Sequence, residues 1–138
     1  MIIVSACLAG INCNYKGQSK PCEKVIELIK EGKAIPVCPE TLGGLSIPRA
    51  PAKQKGNKVF TNHGKDVTAN FIRGAEEGLR IAKLADCKIA ILKARSPSCD
   101  SDKGVFARLL KRNGIKVFSE EDLEDEKLYQ KEIIEKKD

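Results

Sequence analysis

Six cysteines and a single histidine are the side chains of this 138-residue sequence from which any soft-ligand or nucleophilic chemistry must be drawn. Three of the cysteines share one setting. Cys7 follows the apolar run Ile2 to Val4, Cys38 follows Ala34 to Val37, and Cys99 follows Ile89 to Leu92 across a Ser/Pro turn. Short apolar, β-favouring runs that end in turn residues read as strands buried on both faces. In an open α/β sheet, ligands bind beyond the C-terminal ends of the strands, where strand order reverses. Cys7, Cys38 and Cys99 are therefore expected to meet in one site. Three thiolates there suit a soft metal centre: zinc, or a [4Fe–4S] cluster with three protein ligands and one open iron. The competing explanation is that a buried cysteine is simply a small hydrophobe. That explanation suits Cys22, at a helix start, and Cys87, at a helix–strand junction, better than it suits the trio. Cys13, in a loop close to Cys7, stays open between a fourth ligand and an uncommitted thiol.

Other residue types narrow the chemistry. Glu40 lies two residues past Cys38, where a carboxylate can shuttle protons beside a metal. Ser96 and Ser98 flank Pro97 next to Cys99; they can hydrogen-bond a substrate oxygen or a cluster sulfur, or serve only as turn and cap residues. Arg49, in IPRAP, can meet an anion or be a solvated charge. With His63 as the sole histidine, a multi-histidine metal site or a Ser-His-Asp arrangement is excluded. There is no CxxC, which disfavours a thioredoxin-like role, and the wide spacing of the trio does not match a zinc finger or ribbon.

The elements that must position these residues can be read in order. A loop over 8–21 leads to a helix over about 22–31 with Val25, Ile26, Leu28 and Ile29 inward and Gly32 ending it. The second strand runs into a stretch over 39–51 whose prolines and glycines predict a long loop without regular structure. Residues 57–63 predict a short hairpin or flap. A helix is expected from Asp66, capped there or at Thr68, to about Leu84, with Phe71, Ile72, Ala75, Leu79 and Ala82 on its buried face. The third strand, a helix over about 102–112 with Val105, Phe106, Leu109 and Leu110 inward, and a fourth strand over 115–118 follow. The charged tail from Glu120 is expected to be helical and loosely pinned by Leu123, Tyr129 and Ile133. The sum is an α/β domain with a parallel sheet of about four strands in the order 2-1-3-4. It is expected to occupy residues 1–138 as a single domain.

Composition sets the outer limits. The chain is 41% hydrophobic and 32% charged, ordinary for a globular protein. Aromatic residues are 4%, with no Trp, so platforms for stacking single-stranded bases are scarce. A formal charge of +6 suits an anionic ligand or RNA, though dispersed lysines also simply keep a protein in solution. No apolar run approaches the length of about 20 residues that a membrane span needs, and no leader pattern opens the chain. The expectation is a cytoplasmic protein with no membrane partner; its oligomeric state is not indicated.

Four strings carry a more specific signal: SACLAGINCNYKG (5–17), PVCPETLGGLSIPRAPA (36–52), GKDVTANFIRGAEEGL (64–79) and AILKARSPSC (90–99), followed by GIKVFSEEDL (114–123). With them the chain resembles the DUF523 family, the thiouracil desulfidase family, over nearly its whole length and in order. The resemblance implies a single Rossmann-like, three-layer domain and a [4Fe–4S] cluster on three cysteines, which map by motif onto Cys7, Cys38 and Cys99. It implies removal of sulfur from a thiolated pyrimidine to give the oxo base and hydrogen sulfide, without net redox change. It implies a catalytic Glu, matched by Glu40, and a Ser, matched by Ser98 or Ser96; Arg49 is the substrate-binding candidate on the ground of its charge alone. One departure stands out. Family members usually follow SPSC with a glycine-rich stretch; here Cys99 leads to DSDKGVFARLL. That puts a wall or lid of the pocket, and with it the substrate's size, in question. The alternative from another class is a cluster- or zinc-stabilised module that binds nucleic acid or carries sulfur.

Overall fold

Strand β1 (Ile2–Ser5) and strand β5 (Ile89–Leu92) are buried at every position, as continuous apolar runs require when both sheet faces are covered. Alternation sends their side chains to opposite cores. Ile2, Val4, Ile89 and Ile91 pack with Val25 and Leu28 of helix α1 (Glu23–Lys30) on one face. Ile3, Ala90 and Leu92 pack on the other with Ala75 and Ala82 of helix α3 (Thr68–Leu84) and with Phe106 and Leu110 of helix α4 (Val105–Arg112). The computed structural model describes residues 1–135.

The sheet is parallel and four-stranded, in the order β2-β1-β5-β6, with β2 spanning Ala34–Val37 and β6 Lys116–Ser119. This differs in detail from the expected 2-1-3-4 because the flap contributes two strands of its own to the numbering. These are β3 (Ala52–Lys55) and β4 (Lys58–Thr61), an antiparallel pair outside the main sheet. The flap thus begins earlier than expected, at Ala52. Pro36 is tolerated because β2 is an edge strand, with no neighbour beyond it to require the missing N–H.

Two helical expectations are corrected. The stretch after Cys38 is not wholly irregular: Pro39–Leu42 forms a one-turn helix, α2, with Cys38 as its N-cap and Pro39 in the first position. Proline favours that place, since its missing N–H would be unpaired there anyway. On α3, Ile72 is exposed at 47% rather than buried. Gly74 and Gly78 take the buried face with Phe71, Ala75 and Ala82. Both glycines admit a neighbour: a Cβ on Gly74 would fall on the Pro39 carbonyl of α2, and one on Gly78 would meet the Phe106 ring at 2.6 Å. Gly43 makes the reciprocal approach to the Asn70 carbonyl.

The tail is more firmly held than expected. Leu123, Tyr129 and Ile133 are all buried in the core that holds α1, and Lys24 lies 4.4 Å from the Tyr129 ring centroid. Among the described residues, no helix is long and apolar enough to cross a membrane.

Candidate active site

The switch in strand order lies between β1 and β5, and a cavity of about 320 Å³ opens beyond their C-terminal ends. Cys7, Cys38 and Cys99 all line it, together with Cys13, Glu40 and Ser98. Each element delivers its residue for a local reason. Cys7 sits in the 3-10 turn Ala6–Ala9 that ends β1, closed by Gly10 at φ 90°. Cys38 caps α2, and α2 is clamped to α3 through the Gly43–Asn70 and Gly74–Pro39 approaches. Cys99 lies in a tight turn in which the Ser96 hydroxyl accepts from the amides of Ser98 (3.2 Å) and Cys99 (3.1 Å).

The segment after Cys99 closes this turn in its own way. Asp100 Oδ1 accepts from the Arg95 amide at 2.8 Å, and its Oδ2 accepts from the amides of Asp102 and Lys103. Gln54 of the flap donates to the carbonyls of Pro97 and Lys103, so β3 braces the same loop. A carboxylate-centred turn stands where the resemblance implies a glycine-rich stretch.

The two serines separate by role. Ser96 builds the turn. Ser98 is buried, and its hydroxyl reaches Glu40 Oε2 at 3.1 Å, with Ser96 Oγ 3.1 Å away and Cys99 Sγ at 3.5 Å. A hydroxyl has one hydrogen, so donation to Glu40 makes Ser98 the acceptor from Ser96. Arg49 Nε donates to the other carboxylate oxygen, Oε1, at 3.0 Å. Its remaining nitrogens donate to the carbonyls of Ser46 and Cys13. The guanidinium is thus engaged with the protein through all three nitrogens and acts on the site by holding Glu40 and the Cys13 segment. His63 is exposed in the flap and does not line the cavity.

Burial and charge set the protonation of these groups. Burial pushes the Cys99 thiol up to about 12, against a hydrogen bond with Ser5. Burial and then the neighbouring Cys38 push Cys7 up to about 11, against the attraction of Lys93. Cys38 moves the other way: a hydrogen bond from the Cys13 thiol, aided by Thr41, holds it well below the ordinary thiol range, and Cys13 rises in return. Burial raises Glu40 above the usual carboxylate range, with Arg49 opposing the shift.

Among the described residues, no three His, Cys, Asp or Glu side chains converge closely enough to grip a single ion. The trio instead surrounds a volume. An all-thiol donor set spread around a cavity fits a polynuclear iron–sulfur core, whose ligands attach to separate irons, better than it fits one zinc ion. Cys22 packs against the α1 core and Cys87 is buried in the opposite one, and neither lines the cavity.

Two residues at the site were not singled out from the sequence. Lys93 directly follows β5 and Glu120 directly follows β6, and they pair at 3.2 Å with Lys93 on the cavity wall. The strand-end rule that located the cysteines would have located both, had it been applied to charged residues.

Fold and site together define a parallel α/β protein with a thiol-lined cavity at the strand switch, an acid–hydroxyl pair in its wall. The chain belongs to the 2-thiouracil desulfurase family, whose sequence model matches residues 2–122. It is 40% identical to the protein YbbK of Bacillus subtilis (strain 168), over 91% of this chain and 99% of that one. Its fold is similar to that of the solved structure of TudS, a [4Fe-4S]-dependent thiouracil desulfidase of the DUF523 group. That match has a TM-score of 0.86 and 43% identity, covering 92% of this chain and 95% of the other.

Proposed function

We propose that the chain is a desulfidase that converts a thiolated pyrimidine of the thiouracil kind and water into the oxo base and hydrogen sulfide. The observation that supports it most directly is the placement of three thiols, Glu40 and Ser98 around one cavity at the strand switch. Membership of the family and likeness to TudS support the same reading. In this reading the described residues 1–135 form one Rossmann-like domain, and Cys7, Cys38 and Cys99 hold a [4Fe–4S] cluster. When bound, a cluster with one iron free of protein ligands supplies Lewis acidity toward a thiocarbonyl sulfur.

The remaining chemistry falls to the chain's own residues. Glu40 Oε2, held by the Ser98 hydroxyl, faces the cavity as proton acceptor for the attacking water. Arg49 fixes Oε1, so the carboxylate cannot rotate away, and burial keeps its affinity for a proton above that of an exposed glutamate. The proton taken from water is then available to the ring nitrogen or the departing sulfide, which closes the balance without an oxidant or reductant. Ser96 supports Ser98 in the relay. The apolar remainder of the cavity suits a flat ring, as small-molecule sites usually do.

The test is anaerobic reconstitution of the protein with iron and sulfide, followed by sulfide release from 2-thiouracil and 4-thiouracil. Cluster absorbance together with stoichiometric sulfide and uracil is the expected result. A full cluster with no sulfide released from any thiolated base would overturn the enzymatic reading and leave the cofactor assignment standing.

A further inference from the structure

Lys93 occupies an unusual position for a lysine. Its side chain is 22% exposed and lies on the wall of the cavity. It is held at both ends. The backbone amide donates to Ser5 Oγ at 2.8 Å, and the ammonium donates to the Ala94 carbonyl at 2.9 Å and stands 3.2 Å from Glu120 Oε2. Glu120 is in turn fixed, because its Oε1 accepts from the Ala94 amide at 2.8 Å. A lysine ammonium carries three donors. Two are committed to protein oxygens, and these two bonds fix the direction of the third. The other charged pair of the cavity does not compete for it: the carboxylate oxygens of Glu40 are occupied by Arg49 and Ser98.

We propose that Lys93 is a substrate-binding residue whose third N–H donates to the exocyclic oxygen of the bound pyrimidine, with Glu120 as its positioning residue. The inference rests on the desulfidase reading and extends it. Glu40 is tied to Ser98 and Arg49 while Lys93 is tied to Glu120, so the cavity wall presents two separate sets of polar groups. A thiopyrimidine presents sulfur and oxygen at separate ring positions. One face of the cavity handles the carbon that loses sulfur while the ammonium takes the oxygen, which sets which way round the ring enters. A cationic donor in a water-poor wall is the stronger kind of hydrogen bond, and the pre-set geometry avoids the entropy cost of fixing a flexible lysine on binding.

The experiment uses the anaerobically reconstituted full-length protein and measures uracil binding by calorimetry beside the kinetics of 4-thiouracil. Lys93→Met is expected to weaken uracil binding about 10- to 100-fold, the usual worth of a hydrogen bond to a charged group, and to raise KM in step. Lys93→Arg should recover part of the affinity. Because Lys93→Met leaves Glu120 half-buried without its cation, the double variant Lys93→Met/Glu120→Gln removes both charges and keeps the acceptor for the Ala94 amide. It is expected to fold with full iron content and still bind uracil weakly. Wild-type uracil affinity in that double variant would overturn the assignment of Lys93 alone. A wild-type protein that neither binds uracil nor releases sulfide would overturn the desulfidase reading, and this inference with it.

Discussion

Gly74→Ala separates local preference from tertiary fit. Gly74 lies in the middle of the 17-residue helix α3. On an isolated helix the change should stabilise by about 0.5–1 kcal/mol, because glycine loses the most backbone freedom on folding. In this fold the new Cβ would fall on the Pro39 carbonyl oxygen, with Pro39 C at 2.7 Å and Gly43 N at 3.1 Å, all backbone atoms that no rotamer change can move aside. Overpacking of this kind costs about 1–3 kcal/mol. Rigid neighbours argue for the upper half of that range, which leaves a net loss of about 1–2 kcal/mol and a Tm lower by about 3–8 °C. The consequence for the site should exceed the consequence for stability. To relieve the contact α2 must shift, and α2 carries Glu40 and is capped by Cys38. Reconstituted iron content and sulfide release are therefore expected to fall several-fold at a temperature where the variant is still folded. Ile72→Ala, on the exposed side of the same helix, should change stability by no more than about 0.5 kcal/mol and leave the iron untouched. A raised Tm in Gly74→Ala with full iron and full turnover would show that the α2–α3 approach does not set the site.

Replacing Cys7, Cys38 or Cys99 by Ser should each abolish stable iron binding, while Cys22→Ser and Cys87→Ser keep it; equal loss from Cys22→Ser and Cys38→Ser would remove the trio's special status. Cys13→Ser should keep the iron, since the contacts of Cys13 with Cys38 and Arg49 run through its backbone carbonyl; iron loss there would make it a fourth ligand. Glu40→Gln should retain cluster absorbance and lose turnover by roughly 10²- to 10⁴-fold, the range for a general acid–base group, and near-normal turnover would send the proton elsewhere. Ser98→Ala should reduce turnover more than Ser96→Ala does, because Ser98 alone reaches Glu40, and the reverse order in steady-state assays would reassign the relay. Tyr129→Ala should destabilise by about 3 kcal/mol in denaturant titrations without changing KM, since the ring is buried in the α1-side core and does not line the cavity; a stability loss under about 0.5 kcal/mol would mean the tail is peripheral to the core after all.

The apolar runs at Ile2–Ser5, Ala34–Val37 and Ile89–Leu92 were legible because strands buried on both faces need unbroken hydrophobic character, and the cysteines were legible because each follows such a run. With the strand-switch rule, that was enough to place Cys7, Cys38 and Cys99 together before any coordinates. Glu40 was legible by its tether to Cys38. Chain order alone could not choose between Ser96 and Ser98, since both flank Pro97; the choice came from the turn, which spends one hydroxyl on amides and points the other at a carboxylate 58 residues away in sequence. Nor could it show that Arg49 is committed to Glu40, or that Lys93 and Glu120 pair across strands β5 and β6, because ion pairs depend on which strand ends become neighbours. The α2 turn was hidden by its prolines and glycines, which signal a loop unless a proline happens to sit in a helix's first position. The buried face of α3 was misjudged at Ile72 because periodicity counts large apolar residues, whereas two glycines hold that face here. Local propensity and pattern determined the strands, the helices and the residues able to do chemistry. Close backbone approach and long-range pairing, which no single segment encodes, decided how those residues are aimed.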